Sequence, residues 1–124
     1  MDETLYESVG GMPFFEKLVE AFYSEVEQNE ILRPMYPDDL TDAKRHLVLF
    51  IAQYFGGPAQ YMEERGHPRL RMRHAPFRIT KKARDAWLDA MNAALETLRE
   101  QISGDDFVEM TSYFDMAAHS LRNV

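Results

Sequence analysis

The chain has 124 residues, with 21 acidic against 14 basic side chains, a formal charge of -7, 45% hydrophobic content and no cysteine. That length suits one domain, 1–124, able to bury about two thirds of the surface its unfolded form exposes. The composition excludes disulfides, thiolate clusters and thioether-attached cofactors. No apolar run nears the eighteen or so residues of a membrane span, residues 1–10 lack the basic-then-apolar pattern of a secretory leader, and the negative charge speaks against general nucleic-acid binding. A reducing cytoplasm is the default expectation.

In chain order, Phe15, Leu18, Val19, Phe22, Tyr23 and Val26 recur at three and four residues and predict a first helix, with Pro13 in its first turn. A short turn follows over 30–35. Leu40, Ala43, Leu47, Phe50, Ile51 and Tyr54 mark the face of a second helix, stopped by Gly56-Gly57-Pro58. The span 58–76 is long for a helix connection, and connections of that length tend to be functional. The strongest helical stripe runs Ala83, Trp87, Leu88, Met91, Ala94, Leu95, Leu98 and Ile102, with Thr80 as its N-cap and Gly104 as its end. Phe107, Met110, Tyr113, Phe114, Ala117 and Leu121 stripe a last helix. Nothing alternates with period two for long, so the expected class is all-α, four main helices with short turns.

Charge is divided unevenly. Eight of the fourteen basic residues, Arg65, Arg69, Arg71, Arg73, Arg78, Lys81, Lys82 and Arg84, fall in twenty positions without one acid, leaving a balance of -15 over the other segments. Such a stretch usually marks a place where something anionic is held: a phosphate backbone, an acidic partner or a cofactor with carboxylates. His74 lies within it, flanked by Leu70, Met72 and Phe77, and favours a cofactor that also needs a nitrogen ligand. Haem meets that description, with an iron for the imidazole, an apolar ring and two propionates. The plain alternatives are a hydrogen-bonded histidine and a solvated basic loop.

Other candidates are weaker. Glu64 and His67 form an E-x-x-H, but Gly66 and Pro68 break any helix there and no second copy exists, so a di-iron site is rejected. His46 and His119 lack a paired ligand at metal spacing. Tyr23, Tyr36 and Trp87 each place a polar tip in an apolar stripe or turn, as core aromatics bonded to carbonyls also do. No phosphate loop or nucleophile elbow is present.

Seven segments resemble the truncated haemoglobins, within them the bacterial group II branch: Tyr6 to Gly11 (YESVGG), Phe22-Tyr23, Leu32 to Leu40 (LRPMYPDDL), Gln53 to Pro58 (QYFGGP), Gly66 to Phe77 (GHPRLRMRHAPF), Ala86-Trp87-Leu88 and Ala117 to Leu121. The resemblance implies a two-over-two helical sandwich around non-covalent haem b, with His74 as the proximal iron ligand. It implies a distal pocket lined by Tyr23, Tyr36, Ala43, Leu47, Phe50 and Trp87. Ala43 stands where many globins carry a distal histidine, and Tyr36 where most carry phenylalanine. Phe50, Leu47 and Phe77 are expected against the ring. Charge and closeness to His74 nominate Arg71, Arg73, Tyr61 and His67 for the propionates.

Three donors around one diatomic ligand imply slow release of dioxygen, which suits a carrier poorly and favours redox or detoxifying chemistry on nitric oxide, peroxide or sulfide. Carbon monoxide is a further expected ligand. No residue is assigned a catalytic role, whether turnover occurs is left open, and the electron donor would be a separate reductase. Two rivals stand beside this reading: a haem-based oxygen or redox sensor acting through a partner, and a small helical nucleic-acid-binding module using 65–84. Sequence gives no oligomeric state.

Overall fold

Thr4 opens a short helix, α1 (Leu5–Ser8), by a reciprocal cap in which its hydroxyl accepts the Glu7 amide and the Glu7 carboxylate accepts from the Thr4 amide. The computed structural model describes residues 3–124, and all regular structure among them is helical. Helix α2 (Met12–Gln28) buries Phe14, Phe15, Leu18, Val19, Phe22, Tyr23 and Val26. Asn29 then turns the chain, its side-chain oxygen accepting the Ile31 and Leu32 amides at 2.9 and 3.0 Å. A 3-10 turn, Arg33–Met35, leads to α3 (Thr41–Tyr54).

Helix α3 buries Leu49, Ile51 and Ala52. Tyr54, expected on its buried face, is half exposed because it lies flat on Tyr113, ring centroids 3.8 Å apart, at the edge of the core. The following Gly-Gly is a steric necessity. Gly56 has φ +104°, and a Cβ on Gly57 would sit 2.6 Å from the Tyr6 ring and 2.8 Å from the Ala52 carbonyl oxygen. The Tyr6 amide donates to the Phe55 carbonyl at 2.9 Å, so α1 is fastened across the end of α3.

The segment 58–76, expected as one connection, holds two short helices, α4 (Gln60–Arg65) and α5 (Leu70–His74). Six and five residues are too few to repeat an apolar stripe, so periodicity does not detect them. Gly66 (φ +76°) ends α4, and Arg69, at φ +44° in the left-handed region, starts α5.

Thr80 caps α6 (Lys81–Thr97) by accepting the Ala83 amide. The expected end at Gly104 is corrected: the helix stops at Thr97, a 3-10 turn spans Arg99–Gln101, and Ile102 is extended. Gly104 instead begins α7 (Gly104–Leu121), because the Ser103 hydroxyl accepts the Asp106 amide.

Helix α2 packs chiefly on α6 and α3, and α6 on α7, so the pair α2–α3 is stacked over α6–α7. Phe22, Met91, Met110 and Phe114 are fully buried between them. Each side chain of that kind contributes about 1.5 to 3 kcal/mol by leaving water. Helix α5 rests against α7 at the side of this stack.

Candidate functional site

A cavity of about 340 Å³ opens where α2, α3, α6 and α7 meet α5, within the range of small-molecule sites. Its walls are mostly aromatic and aliphatic, and His74, Tyr23, Tyr36 and Trp87 bring polar atoms to them.

His74 is the last residue of α5. Its Nδ1 lies 2.7 Å from the Leu70 carbonyl oxygen, one helical turn back. A carbonyl only accepts, so Nδ1 carries the proton, and the lone pair falls to Nε2, which has no hydrogen-bond partner among the described residues. The tautomer is thus the one a metal-binding imidazole needs. Asn123, after α7, steadies this end: its amide nitrogen Nδ2 donates to the Phe77 carbonyl at 2.8 Å, and its side-chain oxygen accepts the Ile79 amide at 2.9 Å.

The two phenols come from different elements. Tyr23 sits on α2, Tyr36 follows the 3-10 turn, and their rings meet edge to face at 5.5 Å. Arg33 fixes the backbone around Tyr36 by donating to the carbonyls of Pro37 and Asp38, both at 3.1 Å. Burial pushes the Tyr36 hydroxyl up to about 12, against a smaller opposing effect of the Trp87 indole. Burial, with Tyr36 adding to it, drives the Tyr23 pKa well above its ordinary value. Both hydroxyls therefore stay protonated and can donate near neutrality. Trp87 is held by Phe22 at 5.3 Å and Phe114 at 5.9 Å, and its N–H can only donate.

Of the other expected residues, Leu47, Phe50 and Phe77 line the cavity. Ala43 packs against the core without lining it. Tyr61 is buried behind the wall, edge to face with Phe50 at 5.4 Å. Arg73 folds back on the chain before it, its Nε donating to the Pro68 carbonyl at 2.8 Å and its Nη2 to the Arg65 carbonyl at 2.9 Å, leaving Nη1 uncommitted, and it does not line the cavity. Arg71 and His67 are exposed and lie outside the cavity wall.

Arg84, named only as the last member of the basic stretch, lines the cavity and pairs with Asp85 at 3.0 Å. Its place one turn before Trp87 on α6 is the signal that finds it. Leu70, expected only as an apolar neighbour of His74, also orients it through its carbonyl. The E-x-x-H pair is separated in the structure: Glu64 accepts from Arg45 at 2.6 Å and Gln60 at 2.9 Å, and α4 ends before His67. Among the described residues no three histidines or carboxylates converge as for a bare metal ion. His46 lies against the Arg65 guanidinium, and its pKa is lowered by desolvation and by that cation. His119 donates from Nδ1 to the Asp115 carbonyl and is exposed.

An apolar hollow, one imidazole nitrogen without a partner and three donors elsewhere on the wall fit a flat apolar ring whose metal takes a protein nitrogen. Comparison with known proteins identifies the family. The sequence profile of the bacterial-like globins matches residues 4–120. The group 2 truncated hemoglobin YjbI of Bacillus subtilis (strain 168) is 45% identical over 91 residues, 73% of this chain and 68% of that protein. The hemoglobin of the thermophilic phototrophic bacterium Chloroflexus aurantiacus superimposes with a TM-score of 0.95 at 46% identity, covering 99% of this chain and 100% of that one. The group II truncated hemoglobin of Bacillus anthracis gives 0.95 at 39% identity, over 100% and 94% of the two chains.

Proposed function

The chain belongs to the bacterial-like globin family as a group II truncated haemoglobin, and from that premise we propose a haem protein whose polar distal wall retains dioxygen and releases it slowly. Membership carries the coarser statement, non-covalent haem b that binds small ligands such as dioxygen; the residue roles and the slow release are our reading. When bound, haem supplies an iron that takes one bond from a protein nitrogen and leaves another position to a small ligand.

The observation that carries the reading is the His74 imidazole, with Nδ1–H committed to the Leu70 carbonyl and Nε2 left to ligate. Arg73 supports the same end. Its guanidinium is held by two backbone carbonyls and keeps Nη1 for a carboxylate, so little side-chain freedom remains to be lost. Arg71 and His67, exposed as they are, have the smaller share. Leu47, Phe50 and Phe77 exclude water from the ring.

Trp87, Tyr36 and Tyr23 supply the donors. A ligand that gathers negative charge is stabilised by N–H and O–H groups in a dry pocket more than it would be in water. The donors act after the ligand has arrived, so they lower its rate of escape. Slow escape suits retention and redox or detoxifying chemistry on nitric oxide, peroxide or sulfide, with reducing equivalents from a separate protein. The nucleic-acid reading loses support because Arg65, Arg73 and Arg84 turn to partners inside the chain.

Absorption spectra of the purified protein test the proposal. A Soret band that shifts with carbon monoxide in the wild type, and that His46→Ala and His119→Ala leave in place, is the expected result. Its retention unchanged in His74→Ala would overturn the axial assignment.

A further inference from the structure

Phe77 and Leu121 line two hollows at once, the buried cavity and an open concavity on the molecular surface. A layer one side chain thick therefore separates the cavity from solvent here. Arg71, Arg78 and Arg122 border the concavity, Arg122 with its Nε donating to the Val124 oxygen at 3.0 Å, and no acidic side chain lines it. Met72 and Phe77 stand in it at 59% and 50% exposure. Arg71 and Arg78 enter no ion pair among the described residues. The floor is fixed in advance by Asn123, which bonds the backbone of Phe77 and Ile79.

Exposed apolar side chains ringed by cations on an otherwise acidic protein mark a surface for a protein partner. Resting on the haem reading above, we propose that this concavity is the docking site of a small acidic one-electron donor protein. Charge complementarity chooses the occupant. Outside 65–84 the chain carries a balance of -15, so a partner with carboxylates around its redox centre is repelled elsewhere and drawn to this face. Met72 and Phe77 give the encounter its apolar contact, and the Phe77–Leu121 layer keeps the transfer distance short. The step balances simply: one electron leaves the reduced donor and converts the ferric to the ferrous protein, with no bond made or broken.

The test is anaerobic stopped-flow reduction of the ferric holoprotein by a reduced plant-type [2Fe–2S] ferredoxin, an acidic protein. The rate constant is expected to fall steeply between about 0.01 and 0.15 M salt, as the screening length shrinks from about 30 to 8 Å. Arg78→Glu combined with Arg122→Glu is expected to lower the low-salt rate about tenfold or more, while reduction by photoreduced riboflavin, small and uncharged, stays at the wild-type rate. Met72→Asp, which keeps every arginine, is expected to act in the same direction. Amide shifts on titration with oxidised ferredoxin, a readout independent of electron transfer, are expected over 71–78 and 120–124. Ferredoxin rates equal in variants and wild type, or shifts confined to another face, would overturn the assignment. So would sedimentation showing a wild-type dimer dispersed by the double substitution with ferredoxin rates unaffected, which would give the surface to a second copy of the chain. Absence of a Soret band would instead sink the haem reading itself.

Discussion

The wall built by α2 and α6 and the segment carrying α4 and α5 border the same cavity but are held by different forces. On the first, Phe22, Tyr23, Ala83 and Ala86 are buried, and Trp87 is packed between Phe22 and Phe114. On the second, α5 buries none of its five residues. Its order comes from polar links: Leu70 to His74, Arg73 to Pro68 and Arg65, Asn123 to Phe77 and Ile79. Each such bond contributes only about 0.5 to 1.5 kcal/mol net. The wall carrying Tyr23 and Trp87 is thus set by folding itself, whereas the His74 side, held by such links, is expected to open locally at lower cost and to gain most from a bound group.

The sharpest break of that contrast is His74→Ala. Cofactor at a hundredfold excess over its Kd stabilises the native state by about 2.7 kcal/mol, so the loaded wild type should melt several degrees above the apoprotein. His74→Ala should lose most of that gain together with the Soret response. Thermal melts with and without haem check it, and equal gains in both proteins would mean the anchor lies elsewhere.

Trp87→Phe tests the opposite wall, keeping an aromatic filler and deleting the N–H. A bond to a charged acceptor contributes about 1.5 to 3 kcal/mol, about ten- to a hundredfold in an equilibrium constant. Dioxygen release should accelerate by that order and carbon monoxide release by less, since the latter gathers less charge. Stopped-flow displacement of both gases decides; equal acceleration would reduce Trp87 to a space filler.

Asn123→Ala removes the clamp without touching the core. A local loss of about 1 to 3 kcal/mol is expected, read as faster amide hydrogen exchange over 70–79 with α2 and α6 unchanged. Uniform acceleration throughout the chain would show that the two regions do not differ in stability.

The smallest effect is alkaline. Tyr36 ionises near 10 in the unfolded chain but is held protonated up to about 12 when folded. The folded state binds that proton more tightly, so this contribution is complete below pH 10 and is lost as pH rises towards 12. Denaturant melts from pH 9 to 11.5 should show a shallower decline in Tyr36→Phe than in the wild type.

The same division explains what the sequence disclosed. The long amphipathic helices were legible because α2, α3, α6 and α7 repeat their apolar positions over several turns, and Thr80 announced its cap. The short elements were not. Thr4 with Glu7 and Ser103 with Asp106 were readable capping pairs, and attending to Ser103 would have made Gly104 a start instead of a stop. Tyr23, Tyr36 and Trp87 could be nominated as polar tips in apolar stripes, but only the three-dimensional structure brings them to one cavity with His74. Charge density could not say which way an arginine points: Arg73 folds back on carbonyls, Arg84 reaches the cavity wall, and Arg71 faces solvent. A run of like charges has no periodicity from which direction can be read.

The fastening of α1 over the end of α3 has a practical corollary. Tyr6 stacks on Phe15 at 5.7 Å, and Phe15 in turn on Phe55 at 6.2 Å, so α1 acts as the lid of an aromatic box. Because Gly57 leaves no room for a side chain beneath the Tyr6 ring, the lid closes by contact with bare backbone. A chain trimmed to begin at Gly11 would present Phe15 and Phe55 to solvent. It should be prone to self-association and proteolysis far from the cavity, with loss of yield preceding any change in ligand chemistry.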